Sequence, residues 1–192
     1  HLLGPDDKSL LVSSAALLLM PDWPLFLTDT AMNTDPSANE LVQITEATTA
    51  LVKRFGIEPK VAMLSHSNFG PSGADSAKKV RVASEMLRDK YPSMQIDGEM
   101  HVLSALNPAL RDTIYAESRL QGRANVLVMP NLDAANIAMG LVRSMTDALL
   151  IGPLIHGCKK PAHIVIPSVS SRGIFNMTAL TVTDINSKSR VL

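Results

Sequence analysis

The chain has 192 residues, 46% of them hydrophobic, which is enough to bury the core of one domain or of two small lobes. Its 18 Lys plus Arg balance 18 Asp plus Glu, so no net field draws it to nucleic acid or to an anionic membrane, and neither is an expected partner. A single cysteine, Cys158, excludes an internal disulfide and fits a reducing compartment, so a cytoplasmic location is expected.

The longest apolar run, residues 15–20, is too short to span a bilayer and ends at Pro21. No targeting segment is visible. The opening, His1-Leu2-Leu3-Gly4-Pro5, lacks a methionine and reads as the interior of a longer polypeptide.

Residues 10–19 and 25–28 are apolar runs separated by Pro21-Asp22-Trp23-Pro24, which predicts two strands and a turn. Asp35-Pro36 is a helix-start signature, because an Asp oxygen caps free N–H groups and Pro is tolerated at the first helical position. The helix it opens is predicted to run to Phe55 and stop at Gly56. A strand over 60–65 follows, then a Ser- and Gly-rich loop to Gly73, then an amphipathic helix over 75–90 closed by Tyr91-Pro92. The alternation continues with a strand over 95–100, a helix over 108–116, a strand over 124–129 and a helix over 134–146. Residues 149–155 and 163–166 are further apolar runs, 171–183 reads as a last helix, and 186–192 as a solvated end. Strands alternating with helices predict an α/β fold with a mostly parallel sheet and helices on both faces.

Chemistry is expected where strands hand over to helices, since open α/β sheets place ligands outside the carboxyl ends of their strands. Two junctions carry polar groups. The loop Ser65-His66-Ser67-Asn68-Phe69-Gly70-Pro71-Ser72-Gly73 offers hydroxyls and free backbone N–H groups at a helix start, suited to a phosphate or a carbonyl oxygen. It lacks the spacing of a Walker loop or a dinucleotide fingerprint, so by itself it reads first as a plain βα turn and second as a ligand contact. His66 is either a general base or a solvated loop histidine.

The second junction holds Asn131, Asp133 and Asn136. Asn136 falls inside the first helical turns, where Asn costs propensity relative to Ala, so a specific polar contact is expected of it. Arg143 lies two turns further on the same face, and its guanidinium suits a phosphate or carbonyl. The carboxylates of Asp97-Gly98-Glu99 end a strand; Glu99 is expected to pair with a neighbour such as Arg123 rather than act as acid or base. The five histidines are scattered and none shows zinc-ligand spacing with Cys158, which reads as a small buried residue.

Several stretches resemble the phosphate acetyltransferase family: Phe55-Gly56-Ile57-Glu58-Pro59-Lys60-Val61-Ala62-Met63-Leu64-Ser65, Asp97-Gly98-Glu99, Ala124-Asn125-Val126-Leu127, Leu132-Asp133-Ala134, Ile151-Gly152-Pro153 and Lys160-Pro161. The likeness runs over residues 12–182. Ser65-His66-Ser67-Asn68-Phe69-Gly70, Met129-Pro130-Asn131-Leu132 and Asn176-Met177-Thr178-Ala179-Leu180 are closer to the transferase-like C-terminal domain of large bacterial NADP-dependent malic enzymes. The resemblance implies a two-lobed architecture of the isocitrate and isopropylmalate dehydrogenase type, with a ligand cleft between lobes. Residues 1–165 would form the main lobe, and 166–192 would return to a first lobe that mostly precedes this chain. It also implies a dimer of this domain, acetyl-CoA or a related acyl-CoA as its ligand, and a malic-enzyme module in the same polypeptide that alone would use NADP and a divalent metal.

Arg143 matches an arginine of the family's cleft. The family's transition-state Ser and Arg and its base Asp, aligned without a gap from Lys160-Pro161, fall on Ile166, Pro167 and Gly173. An isoleucine donates nothing to a developing charge, and losing one such donor costs on the order of 100-fold in rate. The expected function is therefore regulatory and non-catalytic, with Ser65, Ser67, Asn131, Asn136 and Arg143 as ligand contacts. Two alternatives stand beside it: an active transferase in which Ser171-Arg172 supplies the missing groups, and a structural oligomerisation module.

Overall fold

The computed structural model describes residues 11–165 and 169–189, with side chains to residue 186. The elements in chain order are β1 (Ser13–Leu19), β2 (Pro24–Thr28), α1 (Ala38–Arg54), β3 (Lys60–Leu64), α2 (Asp75–Lys90), β4 (Gln95–Met100), α3 (Val102–Leu106), α4 (Pro108–Ile114), β5 (Val126–Val128), α5 (Leu132–Met145), β6 (Leu149–His156) and α6 (Ser171–Ser189). The six strands form one sheet in the order β4-β3-β5-β2-β1-β6. Four are parallel, and β1 pairs antiparallel with both β2 and β6.

The parallel strands are buried on both faces, which is why β2, β3 and β5 read as apolar runs, while β4 buries Asp97 and Glu99. Val61 and Met63 of β3 meet Leu41 and Leu51 of α1 and Val80 and Leu87 of α2, joined by Met177 of α6. Ala62 and Leu64 point the other way, into a core with Ala105 of α3 and Ala135 of α5. Helices therefore cover both faces, as the alternation predicts.

Several boundaries differ from the sequence reading. Ser37, not Asp35, caps α1: the Glu40 N–H donates to Ser37 Oγ at 3.3 Å, and the Ser37 N–H donates to Glu40 Oε2 at 2.7 Å. Asp35 pairs instead with Lys79 of α2, tying two helix starts together. The helix expected over 108–116 is preceded by a separate short helix, α3, because Asn107 caps a new start at Pro108. Beyond β6, the run expected at 163–166 contributes one bridge, His163 to Leu154, and Ile166 lies outside the described residues. The last helix continues to Ser189 through what reads as a solvated end. Cys158 is half-buried.

Candidate functional site

The chain leaves β3 toward α2 on one face of the sheet and leaves β5 toward α5 on the other. Neighbouring strands whose connections diverge open a crevice at their carboxyl ends. Ser65 and the loop after it lie on one side of this crevice, and Asn131 lies on the other.

The loop is built around a buried carboxylate. Glu99 accepts the Ser67 hydroxyl at 2.9 Å and the Gly70 N–H at 2.9 Å. Arg81 of α2 donates Nε to Glu99 Oε2 at 2.9 Å and a terminal nitrogen to Glu99 Oε1 at 3.0 Å. The same terminal nitrogen reaches the Ser72 carbonyl at 2.9 Å. Burial alone would push the Glu99 carboxyl up; Arg81, Gly70 and Ser67 together hold it below the ordinary carboxylate value. Glu99 thus pairs with Arg81, not with Arg123, whose guanidinium sits over the Trp23 ring, 4.9 Å from its centroid. The expected pair fails because sequence proximity says nothing about which helix packs on β4. Asp97 is likewise internal, holding the Arg119 N–H at 2.8 Å and facing Arg88 at 3.3 Å.

The five residues expected to contact ligand have different duties. Ser67 is buried and its hydroxyl is spent on Glu99 and on the Ser72 N–H, so it organises the loop. Ser65 is half-buried and accepts the Ser67 N–H at 3.3 Å. Asn131 is the N-cap of α5, accepting the Ala134 N–H at 2.9 Å. Asn136 makes the specific polar contact its position predicts, donating to the Thr30 carbonyl at 2.7 Å and so fixing the loop after β2. His66 is exposed, with Nε2 3.1 Å from the Ser72 hydroxyl.

Arg143 stands apart from the other four. Leu19 pairs with Pro24 at the start of β2 and with Leu149 at the start of β6, so β6 begins at the amino-terminal end of the parallel strands. α5 starts at the carboxyl end and brings Arg143 to that opposite end, about 10 Å along the axis from Asn136. There Arg143 lines a pocket of about 260 Å³ between α5, the start of β6 and the first turns of α6. Leu149, Ile151 and Val165 give it an apolar wall, and Arg172 and Asn176 of α6 line it together with Arg143. No carboxylate, histidine or cysteine is among its described lining residues. Gly173, which stands where the resemblance puts the family's base, lines this pocket, while Ile166 and Pro167 lie outside the described residues.

Arg172 is the residue that the ungapped alignment left out of the ligand set, although the Ser171-Arg172-Gly173 wording was the available signal. The model of the phosphate acetyl/butaryl transferase family matches residues 1–182. The chain belongs to that family.

Among curated relatives, it is 45% identical over 184 residues to a NAD-dependent malic enzyme of Rhizobium meliloti, covering 96% of this chain and 24% of that protein. It is 46% identical over 168 residues to the NADP-dependent malic enzyme of Escherichia coli, covering 87% of this chain and 22% of that protein. A phosphate acetyltransferase of Pseudomonas putida is 35% identical over 173 residues, 90% of this chain and 25% of that protein. The chain thus spans about a quarter of the length of these relatives. Among solved structures, a phosphotransacetylase from Streptococcus pyogenes superposes with a TM-score of 0.87 at 29% identity, over 93% of this chain and 55% of that one. The EutD phosphotransacetylase from Staphylococcus aureus superposes with a TM-score of 0.86 at 26% identity, over 92% and 55%. The family's fold is the mixed α/β sheet described above, and the chain is similar to the transferase-like region of malic enzymes.

Proposed function

We propose that this chain is the acyl-CoA-binding regulatory module of a malic enzyme and that it carries no transferase chemistry of its own. The observation that supports this reading is the pocket whose lining combines Arg143 and Arg172 with an apolar wall. Two guanidiniums suit the phosphates of a coenzyme A ester, and Leu149, Ile151 and Val165 suit its acyl or pantetheine carbons. No group among the described lining residues can take a proton at neutral pH. A pocket so composed binds without activating.

The output would be a shift between two arrangements of the polypeptide that differ in affinity for the ligand, because a ligand moves an equilibrium only by that difference. In this reading, oxidation and decarboxylation of malate, with NADP and a divalent cation, belong to a module elsewhere in the polypeptide. The domain itself would assemble as a dimer in the cytoplasm. Among the described residues, no group of three His, Cys, Asp or Glu side chains could hold a metal ion, and no helix is long and apolar enough to cross a membrane.

The position of Arg172 also favours a second reading, a working acyltransferase in which Ser171 and Arg172 serve the reaction. Malate-dependent NADPH production by the full-length protein, titrated with acetyl-CoA, separates the two. The regulatory reading expects a saturable effect that needs at least about tenfold more ligand in Arg143→Ala or Arg172→Ala, the loss of about 1.4 kcal/mol of binding. A flat titration overturns it. Turnover of acetyl phosphate with CoA that Arg172→Ala abolishes establishes the transferase instead.

A further inference from the structure

Ionisable groups from three elements and one connecting segment meet further along the elements that line this pocket. His163 lies on the segment that returns along β6 and bridges to Leu154. Its Nδ1 accepts the Ile155 backbone N–H at 3.1 Å, and its Nε2 faces Asp184 Oδ2 of α6 at 3.2 Å. Asp184 is ion-paired with Arg54 of α1. His156, next to Ile155 on β6, buries its Nε2 without a partner. Opposite it on β1 stands Ser13, whose hydroxyl is also buried and unpartnered. The return segment itself carries Lys159 and Lys160, both exposed.

Only one protonation state satisfies this arrangement. A backbone N–H must face a lone pair, so Nδ1 of His163 is bare and its single proton sits on Nε2, where Asp184 accepts it. A second proton would set an N–H donor against the Ile155 N–H. Asp184 offers the resulting imidazolium little, because Arg54 already neutralises it. Burial first, then the Arg54 charge, holds His163 below the ordinary histidine value.

The bond to Ile155 holds the return segment on β6, and the contact with Asp184 holds α6 to that segment. The two walls of the pocket ride on these same elements: Leu149 and Ile151 on β6, Arg172 and Asn176 on α6. We propose that His163, Asp184 and Arg54 form a proton-sensitive latch that keeps α6 closed on β6 while His163 is neutral and releases it when the ring gains its second proton. The proposal rests on the regulatory reading only for the identity of the pocket's ligand.

Hydrogen exchange of α6 in the full-length protein, corrected for the intrinsic pH dependence, tests it without any ligand. Wild-type protection of α6 is expected to fall up to about tenfold per pH unit faster than that of α2, which follows global stability alone, once His163 titrates. In His163→Asn the amide oxygen takes over the acceptor role of Nδ1 without titrating, and α6 falls no faster than α2. In Asp184→Asn the Arg54 charge is no longer neutralised and bears on the ring, so the excess fall of α6 continues to lower pH. Parallel wild-type profiles of α6 and α2 between about pH 8 and pH 5 overturn the latch, as does a His163→Asn profile that falls like the wild type or an Asp184→Asn profile that does not extend to lower pH. Calorimetry with acetyl-CoA at the two ends of that range forms a separate arm. Heat at neither pH strikes down the acyl-CoA reading and leaves the exchange data to decide the latch.

Discussion

Arg81 Nε lies 2.9 Å from Glu99 Oε2, and through this pair α2, the end of β4 and the loop after β3 become one unit. Glu99 is fully buried and also holds Ser67 and Gly70, so its removal leaves two donors and a guanidinium without their acceptor. Glu99→Ala is expected to lower stability by about 3 kcal/mol, and Glu99→Gln by less because it keeps the acceptor oxygen. Urea denaturation of the two variants measures this, and equal midpoints for Glu99→Ala and wild type would show the pair to be idle. The sign with pH follows from a carboxyl held below its ordinary value: the contribution of Glu99 is present above about 4.5 and is lost as pH falls through its folded value.

Asn131 is both the cap of α5 and an expected ligand contact, and one substitution separates the roles. Asp caps as well as Asn does, but it repels a phosphate. Because the pocket lined by Arg143 lies at the opposite end of α5, Asn131→Asp should keep both the melting temperature and the acetyl-CoA affinity. Asn131→Ala should cost about 1 kcal/mol of stability through the lost cap. An acetyl-CoA affinity lowered about tenfold or more in Asn131→Asp, measured calorimetrically, would instead put this residue in the ligand site.

Gly98 sits where nothing larger fits. Its φ is +139°, and an added Cβ would lie 2.4 Å from the Met63 carbonyl oxygen of β3. Backbone cannot yield there without separating β3 from β4, so Gly98→Ala is expected to cost about 3 kcal/mol, visible as a lower denaturation midpoint. Gly140, with open space around it and an ordinary helical φ, is the control. Gly140→Ala should gain up to about 1 kcal/mol from helix propensity.

His156 supplies a second pH dependence. Burial, with His163 and Arg54 beside it, pushes its ring down to about 4. The fold favours the neutral form, so stability is complete above about 6.5 and declines as pH falls toward the folded value, by on the order of 3 kcal/mol in total. His156→Leu removes that group from the balance. The difference in denaturation midpoint between this variant and wild type should therefore grow on acidification. A difference independent of pH would mean that folding does not shift the His156 ring from its unfolded value.

Most of the architecture was legible from local pattern. Parallel strands buried on both faces write themselves as apolar runs such as Val126-Leu127-Val128, and the amphipathic spacing of Val80, Ala83 and Leu87 marks a helix with one buried side. α1 starts two residues beyond the Asp35 signature because Asp35 and Ser37 are both competent caps, and the reciprocal bond from Glu40 decides between them. α3 leaves no periodic signal, because five residues are too few to show one.

The site divides along the same line. Residue types and order alone place polar groups at the strand-to-helix junctions, carry the family likeness and single out Arg143 and the Ser171-Arg172-Gly173 run. Sequence does not tell which polar groups are spent inside the fold: Ser67 faces Glu99, Asn131 closes a helix and Asn136 holds Thr30, and each partner lies on another element or across a cap. Only tertiary structure brings Arg143 and Arg172 to one pocket and draws His163, Asp184 and Arg54 together, because those meetings depend on how α1, α5 and α6 dock on one sheet. Local propensity and periodicity are short-ranged, whereas the pairing of charges across a core is settled by packing.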